Sequence, residues 1–204
     1  MAVGGAPLTD ANGLRLQIAS DLHLEMYSEL PPLHEILVPS APVLALLGDI
    51  SALGKPKGRA IFEELLEACS TPWKTVLLLA GNHEYYSFDR EQLHQKVLKG
   101  RQDCSKEKLY YSFHPKVNGD HLEGWKFICL DAYDKSLIGA SSDLHLQQAK
   151  DLLKEMNPND LTKSGGWFDN LPRENYRFVP YNGGLSDTQL KWFKQELEAS
   201  EKEG

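Results

Sequence analysis

The stretch Thr75-Val76-Leu77-Leu78-Leu79-Ala80-Gly81-Asn82-His83-Glu84 changes character within two residues. From Val76 to Ala80 every side chain is apolar, whereas Asn82, His83 and Glu84 are all polar. An apolar run this short, without alternation and lying between Pro72 and Gly81, reads as a strand buried on both faces of a helix-covered sheet. The pattern occurs twice more upstream. Leu14-Arg-Leu-Gln-Ile-Ala19 leads into Ser20-Asp21-Leu22-His23, and Val43-Leu-Ala-Leu-Leu47 leads into Gly48-Asp49. Between the second and third runs, Ile61, Phe62, Leu65, Leu66 and Cys69 recur at helical spacing. Residues 59–69 are therefore predicted to form the crossover helix of a βαβ unit with parallel strands.

Ligands of open parallel sheets gather outside the carboxyl ends of the strands. If the three runs are neighbours, Asp21, His23, Asp49, Asn82 and His83 converge there, and so much unpaired polarity at a core edge is costly without a cation. Carboxylate, amide and imidazole donors suit manganese, iron, zinc or magnesium, and the lack of thiolate argues against structural zinc. Taken singly, Asp-x-His, Gly-Asp and Asn-His each read more often as ordinary turns. Their occurrence in order, each directly after an apolar run, carries the metal-site reading. Gly48 and Gly81 are expected to let the chain turn sharply on leaving the sheet.

Downstream, Asp89 to Leu98 reads as a helix with Asp89 and Gln92 as a capping box and Gly100 as its stop. Leu109 to Phe113 and Trp125 to Leu130 read as strands joined by a turn at Asn118-Gly119. A helix is predicted from Asp143 to Met156, ended by Asn157-Pro158. Asn159 to Tyr181 lacks periodicity and reads as an ordered loop. Ser186 and Gln189 look like a second capping box, opening a helix with Leu190, Trp192, Phe193 and Leu197.

Composition narrows the function. Of 204 residues 41% are hydrophobic and 25% charged, which suits one globular domain of α/β type. Residues 1–13 read as a flexible leader, with neither a basic start nor a long apolar run, so no signal peptide and no membrane anchor are expected. Cys69, Cys104 and Cys129 are odd in number and widely spaced, against a disulfide framework, so a cytoplasmic setting is expected. A net charge of −7 gives no general attraction for nucleic acid. Any phosphate ligand must then be held locally, most economically by bound cations.

The residues Asp21-x-His23, Gly48-Asp49 and Gly81-Asn82-His83-Glu84 resemble the first three signature motifs of the calcineurin-like metallophosphoesterases. The resemblance implies a β-sandwich flanked by helices and a site for two divalent metal ions. Asp21 and His23 would bind the first ion, Asp49 would bridge both, and Asn82 would bind the second. His83 would face the scissile phosphate, so His83 and Asn82 are the implied catalytic residues. From residue 81 onward, Gly81-Asn-His-Glu-Tyr-Tyr, Leu130-Asp-Ala-Tyr-Asp134, Asn157-Pro-Asn159 and Asn182-Gly-Gly184 are similar to the manganese-dependent ADP-ribose and CDP-alcohol diphosphatases. A small-molecule phosphoanhydride or phosphodiester is thus the implied substrate, with Tyr85, Tyr86, Trp167, Phe168 and Tyr181 able to face a base or serve equally well as core.

Three departures qualify the resemblance. Those diphosphatases carry Gln where this chain has His23, which matches the general phosphoesterase form. Asp49 is followed by Ile50, Ser51 and Ala52, without the second Asp by which protein phosphatases of the superfamily orient their catalytic His. Glu84 or Asp131 could take that role, but each reads more readily as a solvated carboxylate at a strand end. Finally, the family completes its metal site with three later histidines. Here His34, His94, His114, His121 and His145 follow no apolar run and read as surface residues. Residues 14–204 are accordingly expected to form the N-terminal portion of the domain, a weak catalyst by itself, or a fragment that binds metal or a partner without turnover.

Overall fold

The three apolar runs do form neighbouring strands. The computed structural model describes residues 8–9, 15–98, 102–114, 116–117, 120–121 and 125–203. These divide between two compact units, Met1–Leu93 with His114–Glu123 and His94–Phe113 with Gly124–Gly204.

The first unit is built on a four-stranded sheet of order β1-β2-β3-β4. Its strands are β1 (Leu8–Thr9), β2 (Arg15–Ala19), β3 (Val43–Leu47) and β4 (Thr75–Leu79), with α1 (Leu33–Ile36) and α2 (Pro56–Cys69) on the connections. Strands β2, β3 and β4 run parallel, with Ala19 opposite Leu46 and Leu47 opposite Leu79, so their carboxyl ends lie side by side. Strand β1 pairs antiparallel with β2, which puts Leu8–Thr9 of the expected leader into the sheet. The other residues of 1–13 lie outside the described ones.

Burial separates the strands more than their sequences suggest. Leu44 and Leu46 of β3 are fully buried, whereas every residue of β4 is only half-buried, although both runs look equally apolar. β3 is flanked by two strands and β4 is the outer strand of this sheet. Helix α2 begins three residues before the predicted start because Pro56 occupies its first turn, where a missing N–H costs nothing. It turns Ile61, Leu65 and Cys69 into a core with Leu22, Leu24, Leu37, Ile50 and Trp73. Gln17 is buried among them in β2 and is satisfied: its amide donates to Val38 O, and its oxygen accepts from Ser40 N–H and the Trp73 indole.

Helices α3 (Asn82–Tyr85) and α4 (Arg90–Gln92) follow β4. The Asp89–Gln92 capping box is present, with Gln92 N–H donating to Asp89 Oδ1 at 2.8 Å, but the chain then passes into a π-helical turn, Leu93–Val97. Strands β6 (Lys116–Val117) and β7 (Asp120–His121) pair in the register of a two-residue hairpin, with the Asn118-Gly119 turn itself outside the described residues.

In the second unit, β5 (Tyr111–Phe113) pairs antiparallel with β8 (Phe127–Cys129), and β9 (Lys135–Ser136) with β10 (Gly183–Gly184). Helix α5 (Asp143–Met156) is capped by the Ser142 hydroxyl, which accepts from His145 N–H, and it ends at Asn157. The aperiodic stretch after it is ordered by two amides. Asn157 Nδ2 donates to the carbonyls of Trp167 and Phe178, and Asn159 Nδ2 to those of Trp167 and Asp169.

At the start of α6 (Asp187–Glu203) only half of the expected capping box forms. Ser186 Oγ accepts from Gln189 N–H, but the Gln189 side chain is bonded to the Asp131 backbone and the Asp134 carboxylate. Asp134 takes the Ser186 N–H in its place. A buried carboxylate thus does what the glutamine was expected to do.

Candidate metal centre

The loops that leave β2 and β3 are stitched together by their backbones. Asp21 N–H donates to Gly48 O at 3.2 Å, His23 N–H to Asp49 O at 3.1 Å and Leu24 N–H to Ile50 O at 2.9 Å. Asp21, His23 and Asp49 reach this arrangement at φ 55°, 47° and 54°, in the left-handed region that L-residues seldom occupy. Asp and His are among the side chains that tolerate it best, and such backbone strain concentrates at functional sites. Gly48 lies there too, at φ 83°, as expected for a sharp turn. Gly81 does not: its φ of −104° suits any residue. Its reason for being glycine is space, since a Cβ there would collide with Asp49, and one on Gly48 would meet Gly81 N at 2.6 Å.

Glu84 joins these loops to the one after β4. It is 3% exposed, which corrects the expectation of a solvated carboxylate. One oxygen accepts from Gly81 N–H at 2.6 Å and Asp49 N–H at 3.0 Å, the other from Ile50 N–H at 3.2 Å. Burial pushes its carboxyl above the ordinary glutamate range against the pull of the Gly81 and Asp49 amides, and the Asp49 charge adds to the rise. Asp131, likewise expected to be solvated, is 4% exposed in the second unit, where its Oδ1 accepts from Tyr133 N–H.

With the loops so held, His23, Asp49 and His83 each turn a ligand-capable atom into one cluster, all within 4.8 Å of one another. Among the described residues no other three His, Cys, Asp or Glu side chains come together in this way. Asp21 stands outside the cluster with an exposed side chain, and Asn82 is half-buried in the first turn of α3. His83, to which the resemblance gives no ligand role, is drawn in from both ends. Its N–H donates to Asp49 Oδ1 at 3.0 Å, and its Nδ1 lies 3.1 Å from Glu25 Oε1. Glu25 also approaches His23 Nδ1, at 3.4 Å. Glu25 closes the first motif, Asp21-Leu-His-Leu-Glu25, at the alternate spacing of Asp21 and His23, but no sequence pattern assigned it a role of its own. Two imidazoles and a carboxylate form a donor set that fits a borderline divalent cation, and the absent side chain of Gly81 leaves the carboxylate room to serve it.

The profile of the calcineurin-like phosphoesterases matches residues 14–203. The chain belongs to that family. Among curated relatives of this phosphoesterase is the manganese-dependent ADP-ribose/CDP-alcohol diphosphatase of Xenopus laevis, 34% identical over 140 residues, or 60% of this chain and 36% of the relative. The protein of the same name from Homo sapiens is 33% identical over 136 residues, again 36% of its length. The chain thus spans little more than a third of these relatives. The crystal structure of a dimetal phosphatase from Danio rerio superposes with a TM-score of 0.57 at 30% identity, covering 80% of this chain and 52% of that one. The α/β fold is therefore that of a metallophosphoesterase.

Of the later histidines, His34 and His114 are exposed, as expected. His145 is not a bland surface residue: its Nδ1 lies 3.1 Å from Asp134 Oδ1 and 2.7 Å from Ser141 Oγ. Serine and aspartate meet the same ring nitrogen, so this is a half-buried anchor on the buried Asp134 and not a nucleophilic triad, which would use opposite nitrogens. The second unit also holds a concavity of about 500 Å³ lined by Lys135, Leu152, Arg177, Phe178 and Gly183, none of them a predicted site residue.

Proposed function

We propose that this phosphoesterase contributes to metal-dependent hydrolysis of a nucleoside-diphosphate-linked small molecule of the ADP-ribose or CDP-alcohol type. The observation that carries the reading is the convergence of His23, Asp49 and His83 at the carboxyl ends of parallel strands. Asp49 and His23 would hold a divalent cation, manganese by the naming of the relatives, with Asp21 and Asn82 on the same rim. Divalent cations in such a site supply Lewis acidity toward phosphoryl oxygens and a nucleophile at neutral pH. The chain's own residues do the rest. Asp49 fixes the His83 backbone through its 3.0 Å hydrogen bond. The His83 imidazole would pass a proton to the departing oxygen. Tyr86, whose exposed ring lies 5.8 Å from that of His83, would border the leaving group.

A cytoplasmic setting is supported by the odd number and wide spacing of Cys69, Cys104 and Cys129. Among the described residues no helix is long and apolar enough to cross a membrane.

Calorimetric titration with manganese, followed by assay on ADP-ribose, CDP-choline and an aryl phosphodiester, tests the proposal. Manganese binding that disappears in Asp49→Ala, with any turnover favouring the diphosphates, is the expected result. Equal binding before and after that substitution would remove Asp49 from the site, and a preference for the aryl diester would favour a general phosphodiesterase.

A further inference from the structure

The carboxylate of Glu25 is shared by two imidazoles. Its Oε1 lies 3.1 Å from His83 Nδ1 and 3.4 Å from His23 Nδ1, and the two rings meet edge to face with centroids 4.5 Å apart. The other oxygen is held in place, accepting the Ala52 N–H at 3.0 Å. Ala52 stands three residues beyond Asp49, in the segment that lacks a second aspartate. The Glu25 side chain is 11% exposed, and Leu24 next to it is fully buried, so the carboxylate cannot swing freely into solvent.

We propose that Glu25 is the positioning residue of this centre, fixing the tautomer and orientation of both His23 and His83. The proposal rests on the hydrolase reading above for its purpose, though not for its geometry. Both approaches are ion-pair distances; a carboxylate can only accept, so it favours the tautomer with the proton at the Nδ1 beside it, which leaves the lone pair of that ring at Nε2. For His23 this leaves Nε2 to bind a cation, the arrangement in which a carboxylate behind the ring sets ligand basicity. For His83 it leaves Nε2 toward the substrate, able to take a proton from the attacking water and then pass that proton to the departing oxygen. Because Ala52 N–H pins the carboxylate, the rings are tied to the loop after β3, the loop that also presents Asp49. One glutamate from the first motif thereby orients a histidine from the third.

Nitrogen-15 NMR of labelled histidines in the metal-free chain, assigned with His23→Gln and His83→Gln variants, reads the tautomers directly. Both rings are expected as the Nδ1–H form in the unaltered protein. An Nε2–H ring at His83 would overturn the proposal without recourse to any variant of Glu25. In Glu25→Gln, which keeps the volume, manganese affinity by calorimetry should fall about 10–100-fold with stoichiometry unchanged, the usual effect of losing an outer-shell partner. Glu29→Gln, at an exposed position, should change nothing. Unaltered affinity in Glu25→Gln, or complete loss of the bound ion, would also refute it, the latter by making Glu25 a ligand. If the unaltered chain binds manganese and shows the expected tautomers but hydrolyses no phosphate compound, the hydrolase reading fails and the positioning role survives.

Discussion

Gly81 lies so close to the carboxylate of Asp49 that no side chain fits between them: a Cβ at position 81 would stand 2.2 Å from Asp49 Oδ1 and 2.8 Å from its Cγ. That oxygen also accepts the His83 N–H. Gly81→Ala should therefore displace Asp49 without introducing any unfavourable dihedral angle. Overpacking of this kind costs about 1–3 kcal/mol. Urea unfolding should report that loss, and manganese titration a weakened or absent site. Unchanged manganese affinity in a folded Gly81→Ala protein would mean that the Asp49 carboxylate does not bind the ion.

Glu84 should matter to folding more than to chemistry. Its two oxygens serve the amides of Gly81, Asp49 and Ile50. Glu84→Ala leaves those N–H groups without their acceptor, at about 3 kcal/mol or more, since each buried donor left unpaired costs about 1–3 kcal/mol. Glu84→Gln should recover part of this, because its one oxygen can still accept from Gly81 and Asp49 while its NH₂ would face the Ile50 N–H. Chemical denaturation of both variants checks the expectation, and a stability within 0.5 kcal/mol or so of the parent would contradict it.

His83 can be assigned by separating metal content from rate. As a proton donor, its replacement by Ala should lower kcat about 10²-fold to 10⁴-fold with manganese content near normal, in a form of the enzyme that turns over. As a ligand, its loss should remove the ion in step with activity. Elemental analysis beside single-turnover kinetics distinguishes the two.

Asp134 gives the second unit an acid-sensitive anchor. Burial alone would raise its carboxyl, but hydrogen bonds from Ser141, Ser186 and Gln189 outweigh it and hold the group below the ordinary aspartate range. His145 Nδ1 at 3.1 Å also faces it, and burial together with Asp134 and Asp131 raises the hydroxyl of Tyr110. A carboxyl bound more weakly by protons in the folded state stabilises that state above its unfolded pKa, about 3.9. That contribution is lost as pH falls through the folded value. Stability measured from pH 5 downward should fall less steeply in Asp134→Asn, which starts lower.

Much of the site's outline was legible in sequence because three buried parallel strands must lose their apolar character abruptly where they end. Asp21, His23, Asp49, Asn82 and His83 stand directly at those ends. Local patterns also sufficed for α5, the run from Asp143 to Met156 that Asn157-Pro158 stops. What stayed hidden depends on contacts distant in sequence. Glu84 looks like any polar residue after a strand until the amides of Asp49 and Ile50, more than thirty positions earlier, are seen to need it. Glu25 and Ala52 meet across 27 residues. Gln189 fits the capping-box pattern, yet Asp131 and Asp134 claim its side chain from 58 and 55 residues away. The half-buried state of β4 was invisible for a related reason, since which strand has a neighbour on each side is a property of the sheet and not of the run.

The left-handed backbone at Asp21, His23 and Asp49 sets the site's durability against its usefulness. Each such residue costs about 1–2 kcal/mol relative to glycine in the same conformation. A library screened only for heat resistance should accordingly collect glycine or asparagine at positions 21, 23 and 49, growing sturdier as it discards the groups proposed to hold a cation. Natural variation that keeps aspartate and histidine there would then be a record of selection for binding carried against stability, readable in any set of descendants without assaying one of them.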